Sequence, residues 1–302
     1  MSDDQSIDLP AWLVPPLASP LDSPPPSVVM EAEFGARSRR GPLRPVNDDH
    51  YLIMRLGRHQ ETLLTSISER ALPRRFDEHF YGMAVADGTG GLGEAASRLA
   101  ISALVHLAIY FGRWHMRIDE PIAEEVLDRA QRFFRSIDST LLQASHDTSP
   151  RRLHTTLTAV FTAGPELFFA HVGHSRAYVF RDNELMQLTR DHTLDRERPG
   201  KAPHVDVPSS PRDLHHILTE TLGGGAPGAP RIDVERCGLL DGDLVLLCTN
   251  GLTDVAEDAR IANALRSHKP PDDQCQALVD LAANSGGKDD VTALVGHYRV
   301  RG

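Results

Sequence analysis

Cysteine is scarce in this 302-residue chain: Cys237, Cys248 and Cys275 form no C-x-x-C pair and are odd in number. That excludes a disulfide framework and a thiolate zinc site, and it fits a reducing compartment. Basic excess is missing too. The formal net charge is −10, which argues against non-specific binding to nucleic acid or to an anionic membrane and suits a protein that concentrates cations. The N-terminus, MSDDQS, is acidic where a signal peptide is basic. The longest apolar run, Ile101 to Phe111, is interrupted by His106 and reads as too short to span a bilayer. A cytoplasmic location follows as the expectation. Hydrophobic residues still make up 40% of the chain, enough to bury a full core.

Residues 1 to 30 carry Pro24-Pro25-Pro26 and little hydrophobic periodicity, and they read as a proline-rich leader outside the folded domain, 31 to 302. The most improbable stretch is YGMAVADGTGGLGEAAS, Tyr81 to Ser97. An apolar strand ends abruptly at Asp87, glycines follow at 88, 90, 91 and 93, and a helix begins near Glu94. Asp87 is thereby delivered to the rim of a sheet. A carboxylate among bared backbone carbonyls suits a hard cation such as Mg²⁺ or Mn²⁺, although a lone Asp-Gly also reads as a plain turn start.

Strand character at Met30 to Arg37 and Asp49 to Arg55 brackets a loop in which Arg39, Arg40 and Arg44 precede Asn47-Asp48-Asp49. Arginine beside paired acids makes sense if the acids bind metal and the guanidinium forks onto a phosphate, or simply as a solvated charged loop. Gly57 to His79 reads as a loop insertion. Helical spacing marks Ala96 to Phe111 and Ile122 to Leu141. From Thr156 to Leu188 four short runs separated by turn signals read as an antiparallel meander, and Asp191 to Leu214 as a flap. Val234 to Leu240 and Leu244 to Thr249 flank the turn at Asp241-Gly242-Asp243. Helices near Asp258 to Ser267 and Asp272 to Asn284 lead to Asp289-Asp290 and a last strand, Val291 to Val300.

Acids thus stand at three strand mouths: Asp48-Asp49, Asp87 and Asp289-Asp290. Their order, together with SRRGPLRPVNDD, VADGTGG, TTL, VGHSRAYVFR, LTRDHT, LTETLG, LLCTNGLTD and GGKDDVT, resembles the metal-dependent serine/threonine protein phosphatases of type 2C from about Ser38 onward. The resemblance implies an α+β fold, a four-layer α-β-β-α sandwich of two antiparallel sheets flanked by helices. It also implies a centre of two Mn²⁺ or Mg²⁺ ions that hydrolyses phosphoserine and phosphothreonine in proteins. Carried over by position, Asp87 bridges the ions, Asp48 and the Gly88 carbonyl complete one site, and Asp289 binds the other. Asp49 orients a metal-bound water and Arg44 holds the phosphate. The implied partner is a phosphorylated protein, with a paired serine/threonine kinase and neither nucleic acid nor membrane.

Departures from the pattern bear on activity. Asn250 stands where the family has a metal-ligating Asp, which keeps an oxygen but removes a charge. His174 replaces the Asp of G-D-S-R, so a third ion site is expected to be lost. Thr89 occupies a position where some members carry a His proposed as proton donor. A weak or inactive phosphatase-fold protein that binds phosphorylated partners is the alternative expectation.

Overall fold

The computed structural model describes residues 30–67, 74–113, 119–148, 152–197, 217–224, 228–267 and 269–300. Residues 1–29 lie outside these ranges, as does the 198–214 part of the expected flap, while Met30, assigned to the leader, is the first residue of a strand. Two antiparallel sheets stack face to face. The first contains β1 (Met30–Arg39), β7 (Arg176–Arg181), β8 (Glu184–Gln187), β10 (Leu244–Cys248) and β11 (Val291–Val300), in the order β1-β11-β10-β7-β8. The second contains β2 (Asp49–Glu61), β3 (Arg75–Thr89), β5 (Leu157–Ala163), β6 (Glu166–Val172) and β9 (Asp233–Gly238), in that order, with the short β4 (His154–Thr155) added to the end of β3.

Strand periodicity assigns alternate residues of one strand to different cores. In β3, Met83 and Val85 point inward to the inter-sheet core with Val179, Val245, Leu247, Leu294 and Tyr298. Ala84 and Ala86 point outward, under Ala96, Ala100 and Leu104 of helix α1 (Gly93–Phe111) and near Ile137 and Leu141 of α2 (Glu120–Thr148), while the one-turn α3 (Leu194–Glu197) follows β8. On the opposite side, Leu246, Cys248 and Val295 meet Ile261 of α5 (Asp258–Leu265) and Leu278 of α6 (Pro271–Asn284). The result is the expected four-layer α-β-β-α sandwich. Both faces of the central strands are covered, which is why they read as continuous apolar runs rather than as alternation.

Three expectations about the chain need correction. Residues 57–79 do not form a loop insertion throughout: β2 and β3 pair from Asp49↔Asp87 out to Glu61↔Arg75, making a long hairpin. The four runs after Thr156 are not one meander. β5 and β6 pair in the second sheet, and the chain then crosses at Gly173-His174-Ser175 to form β7 and β8 in the first. The turn at Asp241-Gly242-Asp243 likewise joins strands of different sheets. Finally, the run Ile101 to Phe111 is part of a longer helical stretch, Gly90–Phe111, that is long and apolar enough, by length and composition, to cross a membrane; here it packs on the six-stranded sheet.

Candidate active site

Both sheets present their loops at one rim. The β2–β3 register sets Asp49 opposite Asp87, and the Gly88 N–H donates to the Asp48 carbonyl at 3.1 Å. The Asp87 carbonyl accepts from the Thr156 N–H at 2.9 Å and from Thr155 Oγ1 at 2.8 Å. From the other sheet come Asn250, opening the short helix α4 (Asn250–Thr253) after β10, and Asp289-Asp290 just before β11.

The loop before β2 is held by Asp290. Its two carboxylate oxygens accept the Gly41 N–H at 2.8 Å and the Asp48 N–H at 2.7 Å, and the residue is only 3% exposed. Asp49 is anchored across the sandwich, its Oδ2 accepting from Thr249 Oγ1 at 2.8 Å and Thr292 Oγ1 at 2.7 Å. Sequence reasoning saw Asp290 only as an acid at a strand mouth and did not single out Thr249 or Thr292. The signal available was their place inside LLCTNGLTD and GGKDDVT. Close backbone approach explains two glycines. A Cβ at Gly93 would lie 2.6 Å from the Gly88 carbonyl oxygen and 3.0 Å from Asp48 Cγ, so a side chain there would fill the space where those two groups converge. A Cβ at Gly251 would collide with the Asp290 carbonyl.

Four negative side chains face one cation. Arg44 Nε and Nη2 donate to Asp289 Oδ1, each at 2.7 Å, and Nη1 lies 3.6 Å from Asp48 Oδ2. Burial pulls the Arg44 pKa down, but the Asp289 carboxylate outweighs it and the net direction is up. Burial pushes Asp87 well above the usual carboxylate range, and the charges of Asp49 and Asp289 push the same way. Asp49 rises to about 7, again chiefly through burial, with the two threonine hydroxyls opposing and Asp290 and Asp289 adding. Asp48 is raised by burial and by Asp290, against Arg44. Such a cluster is short of positive charge.

Among the described residues around this rim and its cleft, the buried oxygens without a hydrogen-bond partner are Asp49 Oδ1, Asn250 Oδ1 and Thr219 Oγ1. The Asn250 amide nitrogen donates to Asp254 Oδ2 at 2.9 Å, which commits the nitrogen side and leaves the oxygen side of the amide for the cleft that Asn250 lines. An all-oxygen set with orphaned acceptors, repelling carboxylates, and the Gly88 carbonyl beside Asp48 fits a hard divalent cation. Among the described residues no three His, Cys, Asp or Glu side chains form a ready-made metal cluster; Arg44 ties Asp48 and Asp289 together instead.

The structure therefore brings Asp48, Asp49, Asp87, Gly88, Asn250, Asp289 and Arg44 to one place. Arg44, Asp87, Asn250 and Asp289 open onto a cleft of about 770 Å³ whose other walls include His154, His174 and Leu218–Thr221. His174 is nearly buried in the turn where the chain crosses between sheets. His154 was not singled out in the sequence, where it carries no motif; it enters because β4 pairs with the end of β3, setting it opposite Thr89.

Residues 74–294 match the protein phosphatase 2C family. The serine/threonine protein phosphatase PstP of Mycobacterium tuberculosis is 33% identical over 219 residues, 70% of this chain and 39% of that protein; the chain thus matches well under half of that relative's length. The serine/threonine phosphatase Stp of Listeria innocua is 29% identical over 70% of this chain and 82% of its own length. The solved catalytic domain of the serine/threonine protein phosphatase PstP in complex with two manganese ions superposes with a TM-score of 0.65 at 28% identity, covering 89% of this chain and 99% of that one.

Proposed function

Because this chain belongs to the protein phosphatase 2C family, we propose that it hydrolyses phosphoserine and phosphothreonine in proteins with two bound Mn²⁺ or Mg²⁺ ions. One observation carries the reading. Carboxylates from both sheets, Asp87 and Asp289, line one cleft with Arg44 and with Asn250, whose buried amide oxygen has no hydrogen-bond partner, and burial drives the Asp87 pKa upward.

Asp87, Asp48 and the Gly88 carbonyl would hold one ion, and Asp87, Asp289 and the Asn250 amide oxygen the other. The chemistry such ions supply when bound is charge neutralisation and acidification of the attacking water. The chain supplies the rest. Asp49, locked by Thr249 and Thr292, has one oxygen free to orient a water and accept its proton. Asp290 fixes the loop carrying Arg44 and Asp48. Arg44 is already aimed at Asp289 and is placed to exchange that carboxylate for a phosphate, which its planar fork matches equally well. With His174 and Asn250 in place of acids, a third ion has too few charged oxygens to hold it.

The substrate is a phosphorylated protein, and a serine/threonine kinase that makes such a protein is its natural counterpart. The unpaired Cys237, Cys248 and Cys275 accord with a reducing cytoplasm. Convergence of Asp48, Asp49, Asp87 and Asp289 at one rim, despite the replacements at His174 and Asn250, favours turnover over mere binding of phosphoproteins. The test is hydrolysis of a phosphothreonine peptide in Mn²⁺ by the full chain and by Asp87→Ala. Loss of several kcal/mol of charge stabilisation predicts a fall of about 10³-fold or more. Intact activity in Asp87→Ala would sink the reading.

A further inference from the structure

Cleavage of a serine or threonine phosphate expels an alkoxide, a strong base that needs a proton as it departs. Arg44 does not give one up, and the rim carboxylates are engaged as clamps or ion holders. Among the described residues two imidazoles line the cleft, His154 and His174. We propose that His154 donates the proton to the departing serine or threonine oxygen, with Thr89 orienting its ring. This rests on the phosphatase reading above.

The geometry is specific. β4 pairs with the tip of β3 in the register Thr89↔His154 and Gly88↔Thr155, so the imidazole is hung beside the strand end that carries Asp87. Thr89 Oγ1 lies 2.6 Å from His154 Nδ1 and 3.4 Å from the His154 carbonyl oxygen. With the ring protonated, Nδ1–H donates to the hydroxyl and the hydroxyl turns its own hydrogen to the carbonyl. Thr89 Oγ1 then both accepts and donates a hydrogen bond, which fixes the orientation of the ring. The remaining donor, Nε2–H, lies against Gly90, which has φ +76° and where a Cβ would come within 3.1 Å of that nitrogen. Glycine at 90 thus makes the left-handed turn and leaves the approach to Nε2 open.

His174, by contrast, is 8% exposed in the crossing turn. Burial lowers the proton affinity of His154, and Arg152 on the same segment lowers it further. The cleft around it carries Arg44, Asp87, Asp138, His174, Glu220 and Asp289. A bound phosphate ester brings negative charge, which acts in the opposite direction and loads the ring with a proton as the substrate arrives.

The step balances. The water oxygen forms its bond to phosphorus as the bond from phosphorus to the alcohol oxygen breaks. The alkoxide takes the His154 Nε2 proton, the water's proton passes to Asp49, and the two side chains return to their starting states through solvent. No electrons are transferred.

The experiment compares a phosphothreonine peptide with p-nitrophenyl phosphate, whose phenolate departs without a proton. Both are hydrolysed by the full chain in Mn²⁺ alongside His154→Gln, which keeps an N–H donor but carries no transferable proton. A general acid is worth typically 10²–10⁴-fold. The ratio of kcat on the peptide to kcat on the aryl ester is therefore expected to fall about 10²-fold or more in the variant. In parallel, the His154 ring resonance, identified by its loss in His154→Gln, is expected to shift when inorganic phosphate is added. An unchanged ratio, or a ring resonance indifferent to phosphate, overturns the proton donor while leaving the phosphatase reading intact. A wild type inert to both esters overturns both.

Discussion

Asn250→Asp tests the charge balance of the site most directly, because its effect should reverse sign with metal. In the wild type the amide nitrogen donates to Asp254 Oδ2 at 2.9 Å. A carboxylate in that place faces another at contact distance, and at an effective dielectric of about 20 the repulsion is roughly 6 kcal/mol. The pair escapes by binding a proton. For an ordinary Asp pKa of about 3.9, that costs about 1.4 kcal/mol per pH unit, or about 4 kcal/mol at pH 7. The protonated form can still donate to Asp254, so no further hydrogen bond is lost. In chelator, Asn250→Asp should therefore be about 4 kcal/mol less stable than wild type at pH 7 and about 1.5 kcal/mol less stable at pH 5. The sign follows from a folded-state pKa raised above the unfolded value: the deficit shrinks as pH falls. Added Mn²⁺ should close or reverse the gap, since the new charge becomes a ligand and binding to the folded state adds RT ln(1 + [L]/Kd). Urea unfolding in chelator and across Mn²⁺ concentration reads both effects. Equal stability in chelator, or a difference indifferent to Mn²⁺, would refute the placement of Asn250 as an ion-facing residue.

Arg44→Ala should bind Mn²⁺ more tightly by calorimetry, because Asp289 and Asp48 lose a competing cation, yet kcat/KM on a phosphopeptide should fall about 10²-fold with the loss of a bidentate phosphate contact; weaker Mn²⁺ binding would contradict this. Gly251→Ala places a Cβ 2.9 Å from the Asp290 carbonyl carbon and in collision with its oxygen. It should cost about 1–3 kcal/mol of stability and about 10² in turnover through displacement of Asn250 and Asp289. Gly238→Ala, with nothing within 4 Å, should stay within about 0.5 kcal/mol of wild type. His171 is fully buried, its Nδ1 lies 2.8 Å from Thr158 Oγ1, and Nε2 has no partner. Burial, aided by His192, lowers its pKa to about 3. The stability it contributes is present above the unfolded value near 6.5 and lost as pH falls, about 2 kcal/mol by pH 5. Urea unfolding of wild type and His171→Gln at both pH values should show this loss in wild type alone.

The site was legible because its chemistry interrupts local pattern. An apolar strand that stops at Asp87 before a run of glycines, and acids at two other strand mouths, violate the ordinary expectations for a core strand, and each violation marks a ligand candidate. The second rank was not legible. Asp290 looks like its neighbour Asp289, and only the fold shows that one carboxylate clamps two backbone N–H groups while the other faces Arg44. His154 stands just before TTL but belongs to no motif, and its meaning comes from a two-residue strand laid against Thr89.

By itself the sequence determined the strand and helix positions of the central layers. Strands covered on both faces must be apolar throughout, helices resting on them must show a 3.6-residue stripe, and both signals are local. It also determined which oxygen-bearing side chains stand at strand ends. Tertiary structure alone decided which strands share a sheet, since period-two patterning carries no information about the partner. That is why Gly173-His174-Ser175 reads as a hairpin turn and is a crossing between sheets. It also decided that residues 57–61 and 75–79 form a hairpin, because there the strands project to where one face or both lie open to water and no hydrophobic pattern is required. Above all it decided the convergence of Asp48, Asp49 and Asp87 from one sheet with Asn250 and Asp289 from the other. That convergence depends on how two twisted sheets stack, a property of the packed core between them rather than of any segment of the chain.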